Sequence, residues 1–167
     1  GRPALGRLQP IAVKGEAIDF ENIDDLDDDA SLGVGAIGDF TWKALLDVNT
    51  CTECGRCTSV CPANTTGKLL SPRKVMMDTR DRVEEVGRAI DAAGGSWGQG
   101  DGKALLGDYI SEEELWACTS CQACVDACPV NINPMGIILD MRRSLIMEDS
   151  KAPEAITSMF NNVENNG

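Results

Sequence analysis

Cys51-Thr52-Glu53-Cys54-Gly55-Arg56-Cys57-Thr58-Ser59-Val60-Cys61-Pro62 and Cys118-Thr119-Ser120-Cys121-Gln122-Ala123-Cys124-Val125-Asp126-Ala127-Cys128-Pro129 are two copies of one spacing, C-x2-C-x2-C-x3-C-P. Together they use all 8 cysteines of the chain. Thiols at i, i+3 and i+6 can wrap a tight loop around three corners of a polynuclear centre, and a fourth thiol must then come from elsewhere. Structural zinc is met by paired C-x2-C knuckles, to which the third cysteine and the C-P step are surplus. Disulfides suit small secreted domains, but the chain shows no secretory segment, and such closely spaced triplets have poor geometry for pairing. Pro62 and Pro129 lack an N–H, so each can turn the chain away after the fourth cysteine without stranding a donor.

This run binds [4Fe–4S] clusters in bacterial-type two-cluster ferredoxins, where the fourth cysteine of each run ligates the other cluster. On that pattern Cys51, Cys54, Cys57 and Cys128 hold the first cluster, and Cys118, Cys121, Cys124 and Cys61 hold the second. The exchange would pin two segments distant in sequence against each other, making the clusters the main cross-link of the fold.

The chain has 167 residues, enough for one domain, with a net charge of −12 and a pI near 4.3. That balance argues against nucleic acid, which requires a basic face. It suits an electron carrier that docks on basic patches, and equally a protein merely kept soluble. Reduced thiols imply a cytosolic compartment, and no apolar run approaches the ~20 residues of a membrane span. The chain opens Gly1-Arg2-Pro3 and ends Asn161-Asn162-Val163-Glu164-Asn165-Asn166-Gly167, so an excised piece of a longer polypeptide is expected, with Gly1 a cloning scar.

Residues 1–38 read as an irregular segment containing the acidic run Glu21–Asp29, a solvated tail, a strap or a docking strip. Residues 39–167 read as the domain proper. Asp39 is expected to cap a short helix at about 40–48 with Trp42, Leu45 and Leu46 inward. Ser71-Pro72 pairs an N-cap with proline at the first helical position and opens a helix to about Ala93, with Val75, Met76, Val83, Val86 and Ile90 as its apolar face. The glycine-rich stretch 94–100 lacks phosphate-loop spacing; its Trp97 is a candidate partner contact. Ser111 and Glu114 form a capping box opening the helix that carries Leu115 and Trp116 into Cys118. Asn133-Pro134 opens a helix to about Met147 with Ile137, Ile138, Met141 and Leu145 inward, and Pro153 opens a last one to about Phe160. No convincing strand appears. Small ferredoxins place their motifs close together under short strands. Here the mostly helical stretch 63–117 lies between them, so the fold expected is all-α, an alpha-helical ferredoxin with two [4Fe–4S] clusters.

The stretches Thr41-Trp-Lys-Ala-Leu-Leu-Asp47, Cys61-Pro-Ala-Asn-Thr-Thr-Gly-Lys-Leu-Leu-Ser-Pro-Arg73, Glu114-Leu-Trp-Ala-Cys118 and Phe160-Asn-Asn-Val-Glu-Asn-Asn-Gly167 resemble the helical ferredoxin domain of heterodisulfide-reductase-like iron–sulfur oxidoreductases. Succinate dehydrogenase iron–sulfur subunits and the iron–sulfur component of the anaerobic glycerol-3-phosphate dehydrogenase share the domain type. With Ala4-Leu-Gly-Arg-Leu-Gln-Pro10 the chain resembles in particular an actinobacterial electron-transfer-flavoprotein:menaquinone oxidoreductase. The resemblance implies a parent protein on the cytoplasmic face of the membrane, with this stretch itself soluble. In that parent a membrane domain binds haem and quinone, and a further iron–sulfur site is carried by later CCG domains. It also implies electron-transfer flavoprotein, or another flavoprotein, as donor to fatty-acid β-oxidation's exit toward menaquinone. A free-standing soluble ferredoxin-type carrier, or the iron–sulfur subunit of another dehydrogenase or disulfide reductase, is the alternative.

Around the cysteines, Glu53 should lower the potential of the first cluster, and Arg56 should raise it or face solvent. Thr52, Thr58, Thr119 and Ser120 are candidate donors to sulfur. With no histidine and no nucleotide or flavin fingerprint, no acid–base or nucleophilic site is readable.

Overall fold

The structure, a computed structural model, describes residues 4–13, 16–21, 30–95 and 101–166. Trp97 and most of the acidic run, including Asp24, Asp25, Asp27, Asp28 and Asp29, lie outside the described residues.

Among the described residues the architecture is all-α apart from a two-residue antiparallel pair, β1 (Ala12–Val13) with β2 (Glu16–Ala17). Eight helices follow: α1 (Trp42–Thr50), α2 (Arg56–Ser59), α3 (Pro62–Thr65), α4 (Pro72–Ala92), α5 (Glu112–Trp116), α6 (Ala123–Asp126), α7 (Pro134–Met147) and α8 (Glu154–Asn166). Helix starts follow the local chemistry. The Ser71 hydroxyl accepts from Lys74 N at 3.2 Å, the Asn133 side chain accepts from Gly136 N at 2.9 Å, and Ser111 with Glu114 closes a reciprocal capping box. In each case a polar side chain satisfies an N–H that the first turn leaves without a carbonyl.

α4 and α7 pack on each other, α1 lies on α4, α5 and α6 lie on α7, and α2 meets α6. The result is two similar halves. Each has a lead-in helix, a cysteine loop, a short helix and a long proline-opened helix. The core between them holds Leu70, Val75, Met76, Ile110, Leu115, Ile138, Met141 and Leu145, all essentially without solvent contact. The inward face expected for α7 is the one observed, with Ile137, Ile138, Met141 and Leu145 all buried. On α4, Val75 and Met76 are buried and Val83 and Val86 pack against the core as half-buried residues.

α1 turns differently from expectation. Trp42 is 76% exposed and Leu46 51% exposed, Leu45 is half-buried, and Ala44, Asp47 and Val48 face inward. Its cap is Thr41, which accepts from Ala44 N at 3.2 Å. Asp39 instead accepts from Gly35 N and Ala36 N at the short 3-10 turn Ile37–Asp39. The physical reason is a buried hydrogen bond. The Asp47 carboxylate accepts from Asn133 N at 3.3 Å and pairs with Lys43, and this fixes the helix rotation with Asp47 inside.

The segment ahead of α1 is partly built into the core. Val34, Ile37 and Phe40 are buried. Val34 N donates to Asp140 O at 2.9 Å. Glu148 accepts from the Ser31 hydroxyl, Leu32 N and Gly33 N at 2.7, 3.0 and 3.2 Å. Gly33 lies so close to α7 that an added Cβ would fall 2.1 Å from Ser144 N. α8 runs on past Phe160, where the sequence placed its end, to Asn166, and buries none of its residues.

Candidate functional site

The two cysteine loops are built alike. Each follows a short helix and bends through two left-handed residues: Glu53 (φ 55°) and Gly55 (φ 80°) in the first, Ser120 (φ 54°) and Gln122 (φ 64°) in the second. Glycine takes that conformation without Cβ strain; Gln122 takes it while its side chain reaches the N-terminal segment, accepting from Gly6 N and donating to Arg7 O at 3.3 Å. Arg143 donates to Gln9 O at 2.5 Å. Residues near the start of the chain thus strap across the outer side of the second loop, where Cys121 lines an open cleft with Leu5, Gly6 and Leu8.

Cys51, Cys54, Cys57 and Cys128 line one cleft together with Met76, Val130, Ile132 and Pro134. Cys61 does not line it. Cys61 is buried and lies within electrostatic reach of Cys118 and Cys124. α2, which ends at Ser59 just before Cys61, packs on α6 of the other loop. All 8 cysteines are free thiols.

The fit of these sites to iron–sulfur clusters rests on the donor set and its surroundings. Burial pushes the Cys57 and Cys118 thiols up and Cys124 to about 12, with the charges of Cys118, Cys57, Cys121 and Cys61 adding to burial. Thiols so gathered in an apolar wall resist ionising together, and a cationic iron core supplies the charge that lets them do so. Among the described residues no three ligating side chains converge on a single metal ion. At the first site Cys51, Cys54, Cys57 and Cys128 line one common space, as four corners of a cubane require.

Polar contacts to sulfur are fewer than the sequence offered. Ser120 donates its backbone N–H, not its hydroxyl, to Cys118 Sγ at 3.4 Å. Thr58 hydrogen-bonds Cys57 through side chain and backbone, and its hydroxyl also meets Ser71 Oγ at 2.9 Å. The Thr52 and Thr119 side chains are exposed, and among the described residues their hydroxyls make no hydrogen bond. Arg56 faces solvent. Glu53 is held by Arg80 at 2.6 Å, a partner that nothing in the motif announces. Arg142 is equally silent in the sequence. It donates to Leu115 O at 2.9 and 2.5 Å and to Cys118 O at 2.5 Å, and stacks 4.9 Å over the Trp116 ring. The helical positions of both arginines are legible along the chain; the groups they reach are not.

The 4Fe-4S dicluster domain family matches residues 50–132. The chain is 38% identical to the probable iron-sulfur-binding oxidoreductase FadF of Bacillus subtilis, over 89% of this chain and 25% of that protein. It is 35% identical to the EtfAB:quinone oxidoreductase of Syntrophomonas wolfei, over 81% of this chain and 21% of that protein. It is 34% identical to one subunit of the ferredoxin/F(420)H(2)-dependent CoB-CoM heterodisulfide reductase of Methanosarcina acetivorans, over 65% of this chain and 53% of that polypeptide. The chain therefore spans a quarter or less of the first two relatives' length. Among the described residues no helix is long and apolar enough to cross a membrane. With the doubled cysteine run, the helical frame and these likenesses together, residues 50–132 are a 4Fe-4S dicluster domain, and the chain carries two [4Fe–4S] clusters for electron transfer.

Proposed function

We propose that residues 39–167 form a two-site relay that passes single electrons from reduced electron-transfer flavoprotein toward menaquinone in a membrane-bound parent protein, the electron exit of fatty-acid β-oxidation. The observation that carries the reading is the packing of α2 on α6, which sets the two cysteine loops face to face in one core. Cys57 of one triplet and Cys124 of the other lie within electrostatic reach of each other. Neighbouring one-electron sites in one rigid core are what a relay needs. The likeness to a protein named EtfAB:quinone oxidoreductase supports donor and acceptor.

In this reading Cys51, Cys54, Cys57 and Cys128 hold one cluster, and Cys118, Cys121, Cys124 and Cys61 hold the other. The clusters supply the electron-accepting chemistry. The chain's own residues exclude water with Met76, Ile132 and Val125 and donate to sulfur from Ser120 and Thr58. They leave Cys54 and Cys121 exposed at the two outer edges. Those edges are the contact points for donor and acceptor. The negative charge of the chain steers a basic face of the donor toward them.

The test is stopped-flow reduction. The intact parent protein, mixed anaerobically with reduced electron-transfer flavoprotein, should bleach near 400 nm and pass the electrons to a menaquinone analogue, with an association rate that falls as salt rises. Clusters that stay oxidised would remove the flavoprotein from the account. The likeness to a heterodisulfide reductase polypeptide favours a second reading, service to a disulfide-reducing partner. Reduction by a low-potential ferredoxin instead of the flavoprotein would support that one.

A further inference from the structure

The two halves of the domain carry the same arginine, and only one is neutralised. Ser71-Pro72 opens α4 and Asn133-Pro134 opens α7; eight residues beyond each proline stand Arg80 and Arg142, at 72 to 80 and 134 to 142. Both reach back to the first cysteine of their own half. Arg80 lies within electrostatic reach of Cys51. Arg142 donates to the carbonyl of Cys118 at 2.5 Å. The halves differ at the left-handed residue two places after that cysteine. In the first loop it is Glu53, whose carboxylate takes Arg80 at 2.6 Å. In the second it is Ser120, which has no charge.

Arg142 has no carboxylate partner among the described residues, and its hydrogen-bond partners are neutral carbonyls, Leu115 O and Cys118 O. It is half-buried, stacked on Trp116. A guanidinium stays charged at any working pH, and a charge partly removed from water acts over a longer range than an exposed one. The other charged groups beside the loops, Arg56, Arg73 and Asp81 (3.7 Å from Arg80) at the first and Asp126 at the second, are exposed to solvent and are screened accordingly.

We propose that Arg142 is a potential-setting residue for the cluster ligated by Cys118. Its uncompensated charge favours the reduced form there, while Glu53 cancels the same contribution from Arg80 at the first cluster. The step it biases is a one-electron exchange. The first site is oxidised, the second reduced, and no bond or proton moves. The inference rests on the ligand assignment and the relay reading proposed above. Iron and sulfide content reports on the first, flavoprotein kinetics on the second, and neither measures a midpoint.

The experiment is an EPR-monitored redox titration of the cluster-loaded chain, with each signal assigned through Cys61→Ser and Cys128→Ser variants. Ser120→Glu restores the missing acid in a backbone conformation that Glu53 already adopts, and leaves the arginine in place. It should lower the reduction equilibrium constant of the Cys118-ligated cluster by about tenfold, ~59 mV for one electron, with the other cluster unmoved. Glu53→Gln should raise the first cluster's by a similar factor. Arg142→Met should act in the same direction as Ser120→Glu, and Arg142→Lys should restore most of the difference. If Arg142→Met loses iron because the Cys118 carbonyl is no longer held, Ser120→Glu still decides the matter. A shift of less than about twofold in Ser120→Glu with full iron content, or equal shifts of both clusters, would overturn the proposal.

Discussion

Replacing Cys61 by serine separates the exchanged ligation from its alternative, in which each run of four cysteines holds its own cluster. Cys61 follows the first triplet in sequence, yet the cavity lined by Cys51, Cys54 and Cys57 takes Cys128 as its fourth thiol. Cys61 is buried near Cys118 and Cys124. Cys61→Ser should therefore lower the iron content from about eight to about four per chain, the four corners of one cube. The EPR signal it removes should be the one removed by Cys121→Ser, and the one that survives should be the one removed by Cys54→Ser. The substitution is nearly isosteric. On its own it costs about 1–3 kcal/mol, the penalty of burying a hydroxyl without a partner. A larger fall in the urea midpoint of the loaded protein, absent from the iron-free protein, measures what the cluster contributes by tying α2 to α6. If Cys61→Ser and Cys54→Ser remove the same signal, the exchanged assignment is wrong, although two clusters would remain.

Other expectations follow from contacts outside the cysteine loops. Gly33→Ala would set a Cβ 2.1 Å from Ser144 N and 2.7 Å from Arg143 C, so residues 31–34 must leave α7. The loss of Val34 burial and of the Glu148 hydrogen bonds should cost about 3 kcal/mol or more, read as a lower denaturation midpoint; a change under about 0.5 kcal/mol would show that the strap is dispensable. Arg82 grips Asp101 with two hydrogen bonds, at 2.6 and 2.7 Å, and ties residues 101–109 to α4. Arg82 holds the Asp101 carboxyl at about 2 against an ordinary 3.8. The ionised form is therefore the stabilising one, its contribution is complete above 3.8, and it is lost only as pH falls toward 2. Asp101→Asn should thus lower the midpoint equally at about pH 8 and about pH 5, and a difference that already shrinks at the lower pH would identify another titrating partner.

The cofactor class and the two halves were legible in the residues themselves, because cubane ligation demands four thiols in a spacing that other chemistry does not use. Helix starts were legible for a similarly local reason. Ser71-Pro72, Ser111 with Glu114, and Asn133-Pro134 satisfy N–H groups within the first helical turn, so no distant partner enters. The inward face of α7 could be read because it is apolar at every position but Ser144. α1 could not be read that way. Its most hydrophobic residue, Trp42, stands in solvent, because the buried carboxylate of Asp47 must meet Asn133 N, 86 residues away, and that single bond turns the helix. The same limit hid Arg80 and Arg142, ordinary helical arginines until folding brings them to Glu53 in one half and to the Cys118 carbonyl in the other. Spacing along the chain thus determined which metal centres this protein can hold. Tertiary packing alone decided which charges stand beside them, since a charge acts through space on whatever the fold places next to it.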